Sequence, residues 1–345
     1  MKIIQFSGET EFRKQTGYKD NLNIFFSEDY KNYKLSTKSK FKFYYYLCTD
    51  DFVIPIILHK YMIFRYVEFL SEPAKYNNSG ESENEFINEI CSYLKDEMQV
   101  QWLLSTPAYA FFKSYPRGSK VVPFGSQVID LKLPKENLYQ NMDRKHREMT
   151  RRGEKGNVKV EISDIDLIDD FCFLETSMWR KSGVFIDNTY NSFYENILSR
   201  LNRNTIVSVA YKDEKPQVGL IIYFNEIMAY AMHAGRADEM EPGANNLLYW
   251  KMIEYLNSIG VAKFSIVGFR INPDKDTKVY DIQRFKSRFG GVLEEGYMFK
   301  MDFKPFYHNF FNLLLDTRSL FKGKVNKKRK DIIDQELHKW KEIQQ

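Results

Sequence analysis

From residue 41 to residue 70 the sequence FKFYYYLCTDDFVIPIILHKYMIFRYVEFL is crowded with Tyr, Phe, Ile and Val, and only Thr49-Asp50-Asp51 interrupts it. That pattern predicts a strand, a turn and further strands, because β-branched and aromatic side chains suit a pleated, half-buried surface. A polar loop around Asn77 to Gly80 follows, and then Phe86, Ile87, Ile90, Tyr93 and Leu94 recur at helical spacing across 84–98. Val100 to Leu104 predicts a buried strand. Val128, Ile129, Leu131 and Leu133 predict another, stopped by Pro134, and a helix is expected over about 136–152, with Gly153 and Gly156 bracketing its end.

The second half repeats the style. Val158 to Ile162 reads as a strand, and helices are expected near 166–180 and 190–202. Three antiparallel strands come next: Thr205 to Tyr211, Val218 to Phe224 and Ile227 to Ala234, joined by turns at Asp213 to Pro216 and at Asn225-Glu226. Pro242-Gly243 opens a helix with Leu247, Leu248, Met252, Tyr255, Leu256 and Ile259 on one face, closed by Gly260. Lys263 to Val267 is the next strand, a short helix follows, and Gly296 to Phe303 forms the last strand. This order of meander, helix, strand, short helix and strand is that of a GNAT-type acyltransferase core. Two similar halves are compatible with a duplicated core.

The 345 residues are enough for two domains with real cores. With aromatics at 16%, most rings must be buried. Cys48, Cys91 and Cys172 lie far apart without a CxxC spacing, as expected of free thiols in a reducing compartment, so the cytoplasm is the expected location. Neither a signal peptide nor a membrane-spanning stretch is read. The net charge of +5 is unevenly placed. Residues 142–159 hold seven Lys/Arg and three acids, and residues 318–345 hold nine and four, on a mildly acidic remainder. Such a distribution suits a polyanionic partner.

Three segments could carry chemistry. On a helical wheel started at Leu138, Met142 and Met149 form an apolar stripe, while Arg144, Arg147 and Arg151 share the opposite face. Arginine forks suit phosphates, although charge alone favours a solvated face. In YDIQRFKSRFGG (280–291), Ile282, Phe285 and Phe289 form a short apolar stripe that would fix Lys286 beside it at the end of the sheet. A lysine held there can stabilise an oxyanion, against the plainer reading of an exposed charge. The loop EPGANN precedes the helix at 245, where acyl-CoA enzymes of the GNAT class hold pyrophosphate on exposed amides. Their Arg/Gln-x-x-Gly-x-Gly/Ala pattern is missing: Glu239 stands three residues after Arg236, and Glu241 adds another negative charge, which disfavours CoA. The five histidines have no metal-ligand spacing, so neither metal nor cofactor is expected, and His233 reads as packed.

Several segments together resemble the FemA/FemB/FemX-type peptidoglycan aminoacyltransferases. VIDLKLPKENLYQNMDRKHREMTRRGEKGNVKVEI (128–162) is similar to the join between their two halves, NNLLYWKMIEYLNSIGVAKFSIVGF (245–269) to their Leu-Leu-x-Trp helix and following strand, and RFKSRFGG to their Phe-Lys-x-x-Phe-Gly-Gly. The resemblance covers about residues 125–305, and the sequence departs from it at Gly268-Phe269, where a second glycine is usual. It implies an α/β (α+β) fold of two GNAT-like domains, mixed sheets flanked by helices, of the short type without a coiled-coil arm. The expected division is 1–157 with 298–345, and 158–297.

The activity so implied is transfer of an aminoacyl group from a charged tRNA to an amine of a nucleotide- or lipid-linked cell-wall precursor. Lys286 with Phe285 would form the catalytic site, and Arg144, Arg147 and Arg151 would contact phosphate, with Arg180, Tyr230 and Asn245 as further substrate-binding candidates. The rivals are acyl-CoA N-acyl transfer to a sugar or lipid amine, and a non-catalytic protein holding RNA or anionic lipid. DNA is not an expected partner. In the C-terminal segment, Phe306, Tyr307, Phe310, Phe311 and Leu313 to Leu315 precede the basic run KGKVNKKRK. Packing of these aromatics onto the first domain is the favoured reading, and peripheral contact with the inner face of an anionic membrane is the alternative.

Overall fold

The computed structural model describes residues 3–18, 21–36, 41–163, 166–181, 202–321 and 331–343. The helix expected over 190–202 lies outside the described residues, apart from a short 3-10 turn at Asn202–Asn204. The chain divides into two compact units: Met1–Asp20, Leu35–Gly125 and Glu295–Gln345 form one, and Asn21–Lys34 with Ser126–Glu294 form the other. Each is a mixed sheet flanked by helices.

In the first unit, strands β1 (Ile4–Phe6), β2 (Lys42–Cys48), β3 (Phe52–Tyr61) and β4 (Phe64–Phe69) lie side by side and antiparallel, and the two-residue β5 (Ala74–Lys75) pairs with β3. The short β6 (Trp102–Leu103) adds in parallel beside β4. The final strand β13 (Val292–Asp302), which enters this unit at Glu295, pairs with β6. Helices α1 (Glu9–Thr16) and α2 (Glu28–Ser36) precede β2; α2 crosses the division between the units at Leu35. Helix α3 (Glu83–Asp96) starts at a capping box in which Ser82 and Glu85 satisfy one another's backbone amides. It lays Phe86, Ile87, Ile90 and Leu94, all fully buried, on Ile54, Ile56, Val67 and Phe299 of the sheet.

Helix α9 (Pro305–Phe321) crosses the sheet through Phe311, whose ring meets Phe64 at 4.9 Å and Trp102 at 5.3 Å, and through His308 stacked on Trp102 at 4.8 Å. The expected packing of the C-terminal aromatics is thus half met, because Phe306 and Leu313 face outward. Helix α10 (Ile332–Ile343) is held by Lys300, whose Nζ donates to Asp331 at 2.7 Å and lies 2.8 Å from Asp334, with Ile333 buried beneath.

The second unit takes over strand β7 (Lys120–Asp130) from Ser126 onward and continues through β8 (Lys159–Ser163), β9 (Thr205–Lys212), β10 (Lys215–Phe224), β11 (Met228–Arg236) and β12 (Lys263–Arg270). The sheet order there is β7-β12-β11-β10-β9-β8, all antiparallel from β8 to β11, with β11 and β12 parallel. Asp213 and Glu214, both at positive φ, make the β9–β10 turn, while Pro216 is already inside β10. Helix α6 (Ile168–Lys181) lies against β10 and β11, where Gly219 and Gly235 give it room: a Cβ on Gly235 would sit 2.6 Å from the Glu175 amide.

One expected element is different. In place of a single helix over 136–152 there are two, α4 (Lys135–Asn141) and α5 (Arg144–Lys155), because Met142 and Asp143 leave the helical region with ψ near 144°. Asp143 begins α5 as its N-cap and accepts from the Lys145 amide at 2.8 Å. Helix α7 (Ala244–Ser258) is buried on most sides and carries the core of this unit with Leu220, Ile222, Phe264 and Ile266.

Candidate functional site

Strands β11 and β12 are joined by only three residue pairs, Met228–Lys263 to Tyr230–Ser265, and then part while both continue to Arg236 and Arg270. The parting leaves β12 carbonyls without a partner on β11. Gly268, at φ +81°, bends the strand so that the Val267 and Gly268 carbonyls face the same side, which an extended strand would not allow. Lys286 fills this position. Its Nζ donates to the Val267 carbonyl and to the Gly268 carbonyl, the latter at 2.7 Å. Burial pushes the ammonium down from 10.5 to about 8, so most of the population is still charged at pH 7. Two of its three N–H donors are spent on the carbonyls, and no hydrogen-bond partner for the third is found among the described residues.

Lys286 is the last residue of α8 (Lys278–Lys286), which starts at a Thr277 N-cap accepting from the Tyr280 amide at 3.2 Å. A 3-10 turn and Gly290 in the left-handed region end the segment, and a Cβ at Gly290 would meet the Asn141 backbone at 2.8 Å. The helix is clamped by aromatic rings. Phe285 packs on His146 at 5.1 Å and on Tyr249 at 5.5 Å, and Phe289 packs on the same two at 4.6 and 5.0 Å. The expected stripe is therefore Phe285 and Phe289 without Ile282, which is 41% exposed. His146 also donates Nε2–H to the Phe285 carbonyl at 3.0 Å, since a carbonyl can only accept. Burial drives the imidazole down to about 4, which keeps it neutral and in that tautomer at pH 7. Neither His146 nor Tyr249 is singled out by the sequence, because both act through contacts more than thirty residues away.

The remaining candidates are not brought together around Lys286. Arg147 caps α4: its Nη1 donates to Gln140 O at 2.7 Å and to Met142 O, orphan carbonyls at a helix end. Arg151 donates to the Tyr139 hydroxyl at 3.2 Å, and Arg144 is exposed and pairs with Glu148 at 2.8 Å. All three arginines lie on α5, but Arg147 is turned to the carbonyls at the end of α4, so of the expected face Arg144 and Arg151 are left exposed. Arg180 is exposed near the end of α6, and Tyr230 is buried at the last β11–β12 pair with its ring 4.8 Å from Phe25. Asn245 is half-buried in the first turn of α7, and it is the next residue, Asn246, that is buried with its Nδ2 unpartnered among the described residues.

The amino end of α7 is closed. Gly243, at φ +96°, lies against the α5 backbone, where a Cβ would collide with Met149 O and stand 2.6 Å from the Gly153 amide; a Cβ on Gly153 would in turn stand 2.8 Å from Gly243 O. Gly153 is therefore inside α5, serving this contact, and does not mark the helix end, which is Gly156. Three amides of this segment are also used. Ala237 donates to Gln217 O at 2.8 Å, Glu241 to Gln217 Oε1 at 2.9 Å, and Ala244 to Glu241 O at 3.0 Å. Among the described residues no group of three or more His, Cys, Asp or Glu could hold a metal ion.

Residues 137–280 match the domain family described as Acetyltransferase (GNAT) domain, a span that includes α5 with its arginines, the β11–β12 parting and the start of α8. No curated protein matches the chain. Among solved structures, FemX aligns with a TM-score of 0.65 and 13% identity over 89% of this chain and 99% of that one. A C-terminal domain of a putative lysylphosphatidylglycerol synthetase from Agrobacterium fabrum aligns at 0.46 and 12% identity, over 73% of this chain and 81% of the other. A tandem GNAT protein from the clavulanic acid biosynthesis pathway aligns at 0.44 and 9%, over 76% and 83%. The chain has a FemX-like GNAT fold. Fold and domain match together support an acyltransferase.

Proposed function

We propose that the protein transfers an aminoacyl group from a charged tRNA to an amine of a cell-wall precursor. The observation that carries this reading is Lys286, fixed on two strand carbonyls where β11 and β12 part, with one N–H to spare. An aminoacyl ester is already activated, so the acceptor nitrogen attacks the ester carbonyl, the carbon–nitrogen bond forms, and the ribose hydroxyl leaves with its electron pair and takes up a proton. What such a reaction needs from the protein is orientation and a donor for the oxyanion, and Lys286 supplies the donor. Its immobility matters, because a dipole already in place costs nothing to reorganise when charge develops.

An acyl-CoA donor has the acetyltransferase domain match in its favour. Against it stand the acidic residues of the 237–243 loop, the use of the Ala237, Glu241 and Ala244 amides within the protein, and the close backbone contact of Gly243 with α5. Arg144 and Arg151 remain the phosphate contacts proposed for tRNA, and Arg147 is proposed to shape the surface that presents them. The acceptor is proposed to be nucleotide- or lipid-linked and to bring the amine.

The test is transfer itself. Purified full-length protein is given charged tRNA and, separately, acyl-CoA esters, with UDP-linked peptide precursors as acceptors, and products are read by mass spectrometry. A tRNA-dependent mass increase that Lys286→Ala abolishes is expected. Product formed only from CoA esters would overturn the donor, and unchanged turnover in Lys286→Ala would overturn the site.

A further inference from the structure

The hairpin between β3 and β4 turns through two residues, Met62 and Ile63, since Tyr61 and Phe64 are already paired. Met62 sits at φ +52°, in the left-handed region where Asn or Gly is easily accommodated and a long apolar side chain is not. Met62 is nevertheless 81% exposed and Ile63 58%. An apolar pair at a solvent tip, in a backbone state it disfavours, is adverse for both folding and solubility, which points to a use for it.

The tip continues into a wider apolar surface on the same unit. Phe64 is met by Phe310 of α9 at 6.0 Å, Phe310 stacks with Phe306 at 6.3 Å, and Phe306 is 75% exposed. Leu313 and Leu314, one helical turn further on, are exposed as well. On the other side of the tip lie the exposed Phe41 and Phe43; Phe41 O accepts from the Lys60 amide, and the Lys60 ammonium stands 4.7 Å over the Phe43 ring.

The charge on the segments that form this surface is mainly positive. Residues 41–46, 59–65 and 304–316 contain Lys42, Lys60, Arg65 and Lys304 against one carboxylate, Asp316 on α9, while Asp96 and Glu97 are exposed at the end of α3, where Arg65 donates to Met98 O. Of the acids on nearby strands, Glu68 lies 3.5 Å from His59 and Asp302 is bonded to His308. Apolar side chains bounded by cations complement an interface of acyl chains and anionic headgroups, where insertion and attraction reinforce each other. A second copy of the chain fits less well, since a two-fold interface would set the same cations against themselves. No described helix is long and apolar enough to cross a membrane, so contact would be at the surface only.

We propose that the edge formed by the Met62-Ile63 turn and the outer face of α9 docks on an anionic phospholipid bilayer. The inference is independent of Lys286 and of the transfer reaction, and its readout requires no turnover.

The experiment is co-sedimentation of full-length protein with vesicles of phosphatidylcholine alone and of phosphatidylcholine with phosphatidylglycerol in equal parts. Binding to the second kind only, weakened by salt, is expected. Met62→Asn with Ile63→Asn and Phe306→Asn should lower partitioning about tenfold or more, since the apolar anchor is lost while every cation stays. Met62→Asn alone should raise the melting temperature while weakening binding, opposite changes that a merely structural role would not produce. No sedimentation at low salt, or equal sedimentation of the triple variant, would overturn the proposal. A lipid-free dimer abolished by the same variant would also overturn it, and would assign the face to a second copy.

Discussion

Replacing Lys286 with Met separates the structural cost of this lysine from its use. Burial lowers the ammonium from 10.5 to about 8, and a difference of 2.5 pH units corresponds to about 3 kcal/mol of disfavoured charge at pH 7. Methionine keeps the length and removes that cost, but it abandons the Val267 and Gly268 carbonyls, each worth on the order of 1 kcal/mol. At pH 7 the two effects nearly offset, and the variant should be within about 1 kcal/mol of the parent.

The sign of the pH dependence follows from the direction of the shift. Between pH 8 and 10.5 the unfolded chain still holds the lysine proton and the folded one has released it, so the parent gains stability as pH rises through this window. The Met variant does not, and relative to it the parent should improve by about 3 kcal/mol. Denaturant unfolding of both proteins from pH 7 to 10.5 reads this directly, because other titrating groups cancel in the difference. Transfer should fall by a factor on the order of 100 to 1,000, as for loss of one oxyanion donor, and the parent's rate should decline above about pH 8 as Lys286 loses its proton. Parallel stability curves would mean that Lys286 is not held in the buried environment described, and an undiminished rate would remove it from the chemistry.

Further outcomes are expected elsewhere. His146, pushed to about 4 by burial, makes the protein acid-sensitive: as pH falls from 6.5 towards 4 the unfolded state takes up the proton first, and about 3 kcal/mol should be lost, a slope that urea titrations of His146→Phe should not share. Gly243→Ala should cost about 3 kcal/mol or more by thermal unfolding, since it adds a clash with the α5 backbone to an unfavourable φ. Arg147→Ala should lower the free energy of unfolding, read by urea titration, by about 1 kcal/mol through loss of the α4 cap. Arg144→Gln with Arg151→Gln should leave stability alone and reduce the salt slope of tRNA binding by about two.

Most elements are legible in the sequence because their signals are local. The β2–β4 run, the capped α3 and the β9–β11 meander each carry their own periodicity and turn residues. Lys286 is picked out only through the resemblance of RFKSRFGG to the FemX-type motif, because its residues alone favour an exposed charge, whereas the lysine is buried at the end of α8. The α4–α5 break is hidden because Met142 continues the apolar stripe of a single helix, although Asp143 followed by a basic helix is an N-cap pattern. What no local pattern carries is the meeting of distant backbones. Gly153 and Gly243 are ninety residues apart, and only their approach explains either one. His146 looks like one more polar residue in a charged helix until α8 is laid against it.

The way the chain is distributed between the two units bears on how it folds as it is synthesised. The second unit is nearly one uninterrupted stretch, 126–294, with a short preceding piece, so its contacts can close as soon as that stretch has emerged. The first unit begins earlier and finishes later. Its helix α3 rests partly on Phe299, and β6 has β4 on one side and β13 on the other. Until residues near 302 have left the ribosome, β6 presents an open edge and the α3 core lacks one of its fully buried rings, and a nascent chain in that state offers an unpaired strand to its neighbours. Slow translation between residues 125 and 295 would prolong that exposure and delay the second unit with it, and ribosome-bound chains halted near residue 290 should be the ones most readily captured by a chaperone.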